Sequence, residues 1–124
     1  MSITIYGELH SAKNGKDIIK VNGRFMLISK KPVRDAEKEL LIQLRQNQAE
    51  WEELKEYKRN PLYVVFTIYR KTKRRFDYIN IIQQLCDCMV KVGWLEDDSA
   101  DHIIPVFQPY KVDKDNPRVE IDIL

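Results

Sequence analysis

The sequence has no long run of apolar residues and no segment rich in Gly, Ser or Pro. No stretch approaches the roughly 20 apolar residues that cross a bilayer, and residues 1–7 lack the basic region and apolar core of a signal peptide. A disordered linker is not expected either. A chain of 124 residues with this composition predicts a single domain, residues 1–124, located in the cytoplasm.

Cysteine and histidine are also scarce. The two cysteines, Cys86 and Cys88, lie two positions apart on a predicted helix, where their side chains point in different directions. This spacing excludes an ordinary disulfide and a Cys-x-x-Cys redox pair, so both thiols are predicted to pack in the core. With His10 and His102 far apart, a structural zinc site is not expected. The net charge of +2 is too small to indicate a polyanionic partner, so any indication of one must come from local clusters of charged residues.

Strands are predicted where apolar and polar residues alternate. Asn22-Gly23, flanked by apolar residues, predicts a β-hairpin turn because both residues tolerate positive φ. Residues 62–69 are apolar on both faces, which is typical of a central strand. The other strands are predicted around residues 3–9, from about 18, and over 103–107 and 119–123.

Two helices are predicted between these strands. The first is amphipathic, begins at Pro32 and must end before Asn60-Pro61, since proline cannot continue it. The second spans residues 80–92, with Gly93 as its C-cap. The order strands, helix, strand, helix, strands predicts an α+β domain in which one mixed sheet packs with two main helices. Trp51 and Trp94 are predicted to be core or dimer contacts.

Three carboxylates flank the second helix: Asp77 precedes it, and Asp97 and Asp98 follow it. Carboxylates are the ligands that a hard divalent cation prefers, and basic side chains bind phosphate. A group that could hold a cation therefore lies beside one that could hold phosphate, which indicates phosphodiester chemistry. The basic group comes directly before the helix and consists of Lys71, Lys73, Arg74 and Arg75.

The segment 74–80, Arg-Arg-Phe-Asp-Tyr-Ile-Asn, and the segment 96–99, Glu-Asp-Asp-Ser, together resemble the RusA-type Holliday junction resolvases. In that family a basic strand end leads to D-x-D-N, then to a helix with a lysine and an aspartate, and then to a D-D pair. The residues that fall in register with this pattern without a gap are Asp77, Asn80, Asp87, Asp97 and Asp98.

The resemblance implies a RusA-like fold and a homodimeric, Mg²⁺-dependent endonuclease, often encoded by phages or prophages. Such enzymes make paired nicks in four-way DNA junctions during recombination and repair, and Mn²⁺ would be able to replace Mg²⁺. It implies that Asp77 and Asp98 are metal ligands. Asp97 would take part in catalysis beside them, or orient a bound water or a basic group from outside the metal's coordination shell.

The chain departs from the family pattern at two positions. Ile79 stands where the pattern has its second aspartate, and Gln83 stands where it has the helix lysine. Isoleucine cannot bind a cation, and glutamine cannot supply positive charge. Either the site has been rebuilt or cleavage has been lost.

In a rebuilt site, Asn80 would offer its carbonyl oxygen to the metal. Asp87 lies on the same helix face, about 10 Å further along at 1.5 Å per residue, so it would act with Gln83 from outside the coordination shell. Lys73 or Arg75 would take the place of the missing lysine.

Plainer interpretations exist for each part of this constellation. Asp77 could be a helix N-cap, Asp97 and Asp98 could form an ordinary acidic turn, and the basic group could be a solvated strand exit. Further predicted DNA contacts lie before and at the start of the first helix: Lys13, Lys30, Lys31 and Arg34.

The leading hypothesis is thus a metal-dependent endonuclease that resolves four-way junctions as a dimer. The alternative is a branched-DNA-binding protein that keeps the fold but lacks part of the metal site, because of Ile79 and Gln83. A third possibility is a protein-interaction module with no nucleic-acid role. No membrane and no small-molecule cofactor is expected to take part.

Overall fold

The computed structural model describes residues 2–9, 16–29 and 31–124, which contain seven strands and three helices. The predicted α+β class and the order of the elements are confirmed. None of the helices in this part of the chain is long and apolar enough to cross a membrane. In chain order the elements are β1 (Ile3–Tyr6), β2 (Lys16–Val21), β3 (Arg24–Ser29), α1 (Lys31–Gln46), α2 (Gln48–Lys55), β4 (Leu62–Arg70), α3 (Tyr78–Lys91), β5 (Ile103–Phe107), β6 (Lys111–Val112) and β7 (Arg118–Ile123).

The main sheet has five strands and is mixed. Its order is β1-β7-β4-β5, and the short strand β6 pairs with the end of β4. β7 lies antiparallel to β1 and to β4, whereas β5 and β6 lie parallel to β4. The predicted central strand is confirmed, because Val64, Phe66 and Ile68 are buried and β4 pairs on both sides. The parallel pairing of β4 with β5 requires a crossover, which α3 supplies.

The predicted hairpin forms, but it makes a two-stranded sheet of its own rather than joining the main one. Asn22 and Gly23 both have positive φ, at 50° and 79°, as a tight hairpin turn requires. This turn pairs β2 with β3 locally, while β1 takes β7 as its partner. The hairpin therefore leaves apolar side chains such as Phe25 and Leu27 exposed.

The single long helix predicted from Pro32 is two helices that meet at Asn47. The side-chain amide of Asn47 donates a hydrogen bond of 2.9 Å to the carbonyl oxygen of Gln43. Asparagine competes in this way with the helical backbone pattern, which explains the break. Both helices still face the core, through Leu40 and Leu44 on α1 and Trp51 on α2.

The core joins these helices to α3 and to the segment that follows it. Trp51 and Trp94 stack with ring centroids 4.7 Å apart, which confirms that they are core residues. The indole N–H of Trp51 donates to the carbonyl oxygen of Trp94, at 2.9 Å. Cys86 and Cys88 are buried free thiols, as predicted, and burial raises the pKa of Cys86 to about 12 and that of Cys88 to about 11.

Candidate active site along helix α3

The strand end that carries the basic group is anchored by a buried arginine. Arg70, the last residue of β4, is 8% exposed and donates a hydrogen bond of 3.1 Å to the carbonyl oxygen of Leu9. Its guanidinium lies 3.6 Å from Glu8 and 4.5 Å from the ring centroid of Phe76. The other carboxylate oxygen of Glu8 accepts from the backbone N–H of Lys71, at 2.7 Å. These contacts fix where the chain turns from β4 towards α3.

The side chains of the basic group are exposed to solvent, and their positive charge is not neutralised by a carboxylate among the described residues. None of its four side chains (Lys71, Lys73, Arg74 and Arg75) forms an ion pair with a carboxylate among the described residues. The last three line a groove of about 330 Å³, together with the aromatic rings of Phe76, Tyr78 and Tyr110. Unpaired arginine and lysine side chains on an open groove are suited to binding phosphate.

Asp77 lies at the N-cap position of α3, but its side chain does not cap the helix. The residue has extended φ and ψ, at −108° and 125°, and its carboxylate makes no hydrogen bond to the helix backbone. Instead the side-chain amide of Asn80 donates to it at 3.3 Å. Because this bond uses the N–H₂ group of Asn80, the amide's carbonyl oxygen stays available as an acceptor. The carboxylate of Asp77 is therefore held by one neighbour and is not used to end the helix.

The apolar stripe of α3 faces the core, and the two positions that depart from the family pattern do not belong to it. Ile81, Leu85 and Met89 are buried. Ile79 is 76% exposed, and Gln83, one turn further along, is also exposed. Charged side chains at these two positions would therefore remain in solvent and would not have to be buried.

At the other end of α3, Gly93 sets the path of the chain, as predicted. With φ of +82°, it donates its N–H to Val90, and Trp94 donates its own N–H to Met89, at 3.1 and 2.9 Å. This pair of bonds closes the helix in a Schellman motif. Since Trp94 is buried, the closure and the indole together fix the start of the acidic segment, defined as residues 96–98.

The charge of Asp98, in the acidic segment, acts on two side chains of α3. Burial raises the pKa of Asp87, and the negative charge of Asp98 raises it further. Burial raises the pKa of Cys86, and here too Asp98 adds to the effect. Asp97 and Asp98 are exposed, and neither carboxylate forms a hydrogen bond or an ion pair within residues 2–9, 16–29 and 31–124. The acidic turn is therefore not stabilised by bonds from these side chains to its own backbone.

Two carboxylate environments thus lie along one helix. Asp77 contacts Asn80, and Asp87, whose pKa is raised by the charge of Asp98, lies ten residues or about 15 Å further along the axis. Among the residues that the structure describes, no three His, Cys, Asp or Glu side chains are grouped to hold one ion. The predicted set of Asp77, Asp98 and the Asn80 amide contains only two such side chains, and its convergence stays a prediction.

The remaining predicted DNA contacts are at the N-terminal side of the chain. Lys31 and Arg34 are exposed in the first turn of α1. Lys13 and Lys30 lie outside the described residues.

Several features of the site were not predicted from the sequence. Arg70 and Glu8 lie 62 positions apart, and no local pattern signals their contact. The aromatic groove depends on Tyr110, whose backbone N–H donates to the hydroxyl of Tyr78 at 2.9 Å. A second cleft contains Lys58 and Arg59, and its only signal in the sequence was a basic segment before Asn60-Pro61.

The sequence was also compared with known families. The family model for Endodeoxyribonuclease RusA matches residues 12–124, which is nearly the whole chain and includes the basic group, α3 and the acidic segment. Among curated proteins, none matches the chain. RusA nucleases are in general metal-dependent and act on branched DNA, resolving Holliday junctions. The chain belongs to the RusA family of endodeoxyribonucleases.

Proposed function

We propose that this protein is a Mg²⁺-dependent endonuclease that nicks four-way DNA junctions, with its active site along α3. The observation that carries the proposal is that acidic and basic side chains without ion-pair partners among the described residues flank this helix. Asp77 and Asp98 lack cationic partners, and the basic group before the helix lacks carboxylate partners among the described residues. In a RusA chain, these are the groups that a cation and a phosphate would neutralise.

The donor chemistry of the carboxylates suits a hard cation. Asp77 and Asp98 would hold the ion, and Asn80 would add its carbonyl oxygen, because its N–H₂ group already donates to Asp77. The chemistry that a bound divalent cation supplies is activation of a water and neutralisation of charge on the scissile phosphate. Mn²⁺, which also accepts oxygen ligands, would be able to replace Mg²⁺.

The surrounding side chains orient the substrate. The basic group binds the phosphates that flank the cut, and the fixed turn at Arg70 keeps it beside the start of α3. Asn80 holds the Asp77 carboxylate in one orientation. Asp97 and Asp87 would stand outside the coordination shell of a bound cation, where the negative charge of Asp87 would favour cation binding. Lys31 and Arg34 contribute further phosphate contacts at the start of α1.

Two symmetric nicks in one junction require two equivalent sites, so the active form is a homodimer. Paired cleavage of this kind is suited to recombination and repair, and to a phage or prophage setting.

A second candidate function rests on Ile79 and Gln83. Because both side chains are exposed on α3 and neither can assist catalysis, the chain would bind branched DNA without cutting it. In that case Asp77→Asn or Asp98→Asn leaves affinity unchanged or improves it, since each removes a charge that repels DNA.

A nicking assay on a synthetic four-way junction separates the two functions. We expect cleavage with Mg²⁺ or Mn²⁺ and none with a chelator, and we expect Asp98→Asn to abolish it while circular dichroism shows a folded protein. Asp101→Asn, an exposed carboxylate of the same loop, is the matched control and should cleave normally.

Junction binding without cleavage under any metal would favour the second function. Absence of binding even at low salt would contradict both and point to a protein-interaction role.

A further inference from the structure

A second basic surface lies beside the acidic segment. A cleft of about 530 Å³ separates the loop that joins α2 to β4 from the segment that follows α3. One wall carries Lys55, Lys58 and Arg59, and the other includes Glu96 and His102. Lys55, Lys58 and Arg59 are separate from the basic group before α3.

The cleft has more positively than negatively charged side chains, and two of the positive ones have no ion-pair partner among the described residues. Lys55 pairs with Glu52 at 3.2 Å, and Glu96 lies 3.7 Å from the imidazole of His102. Lys58 and Arg59 are exposed and have no ion pair with any residue in the described part of the chain. The two side chains that remain to bind an anion are therefore Lys58 and Arg59.

The wall that carries them has a fixed shape. The backbone N–H of Lys58 donates to the carbonyl oxygen of Lys55 at 2.9 Å, which closes a turn. Between them, Tyr57 has φ of +64°, a conformation that residues other than glycine rarely adopt, and its side chain is 95% exposed. Unfavourable backbone of this kind persists where the surrounding structure holds it, and it is concentrated at functional sites. The turn places its lysines on one side of the cleft.

The opposite wall connects the cleft to the candidate active site. Glu96 lines the cleft, and Asp97 is the next residue. Because consecutive Cα atoms are about 3.8 Å apart, the Cα atom of Asp98 lies no more than about 7.6 Å from that of Glu96. A DNA strand cut near Asp98 would pass carboxylates that repel it, and nearby cations would have to offset that repulsion.

We propose that this cleft binds the phosphodiester backbone of a DNA strand as it leaves the acidic segment, with Lys58 and Arg59 as its phosphate contacts. The proposal rests on the proposed function, since the strand is part of the branched DNA. It assigns the two sides of the active site different contacts: the basic group before α3 holds the strand at one end, and the cleft holds it at the other.

The test is the salt dependence of junction binding by the full chain in a chelator, where cleavage cannot occur. Each phosphate contact contributes about 0.9 to the slope of log K against log salt, so Lys58→Ala with Arg59→Ala should reduce the slope by about 2 for each bound subunit, or about 4 for the homodimer. The matched control is Lys38→Ala with Arg45→Ala on the exposed face of α1, which should leave the slope unchanged. The charge-conserving pair Lys58→Arg with Arg59→Lys should retain the wild-type slope.

Thermal melting checks that the variants fold. If the alanine pair melts early, Lys58→Gln with Arg59→Gln replaces it and is expected to show the same reduced slope. A slope equal to that of the wild type in the folded variant overturns the cleft assignment alone. A wild-type protein that binds no junction at any salt concentration overturns the proposed function itself, so the two failures are distinguishable.

Discussion

The two ends of helix α3 present carboxylates in opposite electrostatic settings. At the N-terminal end, Asp77 is hydrogen-bonded by Asn80 and follows four unpaired cations. In the C-terminal half, Asp87 lies near Asp98 and Glu37, and the charges of both raise its pKa after the effect of burial. The charge of Lys91, which is paired with Glu37, lowers the pKa of Asp87 but does not cancel these effects. The first end therefore combines the Asp77 carboxylate with cations that are suited to phosphate, and the second has unbalanced negative charge that a divalent cation would relieve.

The proposed function assigns Asp77 as the carboxylate that holds the cation together with Asp98. The alternative is Asp87, a carboxyl group whose pKa is raised by Asp98. Variants at the two ends of α3 distinguish Asp77 from Asp87 as the metal ligand.

Among the variants that compare the two ends of α3, the largest effect is expected from Asp77→Asn. Removing a metal ligand should reduce junction nicking by about 10³-fold, comparable to the loss of one group that stabilises a transition state. Asp87→Asn, its counterpart at the other end, should reduce the rate by no more than about 10- to 100-fold, as expected outside the coordination shell. Single-turnover nicking rates measure both. Normal cleavage by Asp77→Asn together with inactivity of Asp87→Asn would move the metal to the C-terminal half.

A gain of cleavage is expected from Ile79→Asp combined with Gln83→Lys. Both side chains are exposed, so the change costs little core burial, and a carboxylate in the first turn of α3 is favoured by the helix dipole. We expect nicking to rise by about 10- to 100-fold, the range by which groups that support a metal site alter activity.

Ile79→Asn with Gln83→Lys is the matched control, because it is polar without the added carboxylate. A double variant no faster than the wild type would show that these two positions do not limit the natural protein, and that the site along α3 has been rebuilt with other groups.

Mg²⁺ should raise the melting temperature by a few degrees. At ten times its dissociation constant, a ligand that binds only the folded state stabilises it by about 1.4 kcal/mol, which corresponds to about 5 °C for a domain of this size. Asp98→Asn should lose this shift, and Arg45→Ala should keep it. Differential scanning calorimetry with and without Mg²⁺ measures the effect. An equal shift in Asp98→Asn would exclude that carboxylate as a ligand.

The sequence was sufficient to predict features that depend on local chemistry. The apolar period of α3, the glycine at position 93 and the turn at Asn22-Gly23 each act within a few residues, and each is confirmed. Features that depend on distant partners were not predicted. The two-residue strand β6 forms only because residues 111 and 112 meet the end of β4, and the hairpin stands apart because β1 pairs with β7.

The candidate site shows the same division. The register around α3 predicts that Asp77, Asn80 and Asp98 form a group, and the part of it that the structure shows is the hydrogen bond from Asn80 to Asp77. The effect of Asp98 on the pKa of Asp87 was not predicted, because it depends on the path of the loop after Gly93 and the buried indole of Trp94, which no periodicity encodes. Lys58 and Arg59 were not predicted as a binding surface. They line a cleft whose other wall is formed by the segment that follows α3, which is distant in sequence.

The smallest effect concerns the stability of the fold and its dependence on pH. Burial and Asp98 raise the folded-state pKa of Asp87 above its ordinary value of 3.8, so ionisation of this carboxyl opposes folding. Its unfavourable contribution is absent below the ordinary pKa and grows as pH rises through the folded-state pKa. Asp87→Asn should therefore stabilise the fold at pH 7 and lose this advantage in acid.

Because Asp87 is exposed, the gain should be only a few tenths of a kcal/mol, within the range of surface charge interactions. Urea unfolding at pH 7 and pH 3 measures it, with Asp101→Asn as the control that should show no such difference. Mg²⁺ should reduce the advantage, since a cation near Asp98 offsets the same repulsion. If Asp87→Asn instead destabilises the protein at pH 7, then Asp87 makes a favourable contact, and the C-terminal half of α3 does not carry the unbalanced negative charge that distinguishes it from the N-terminal end.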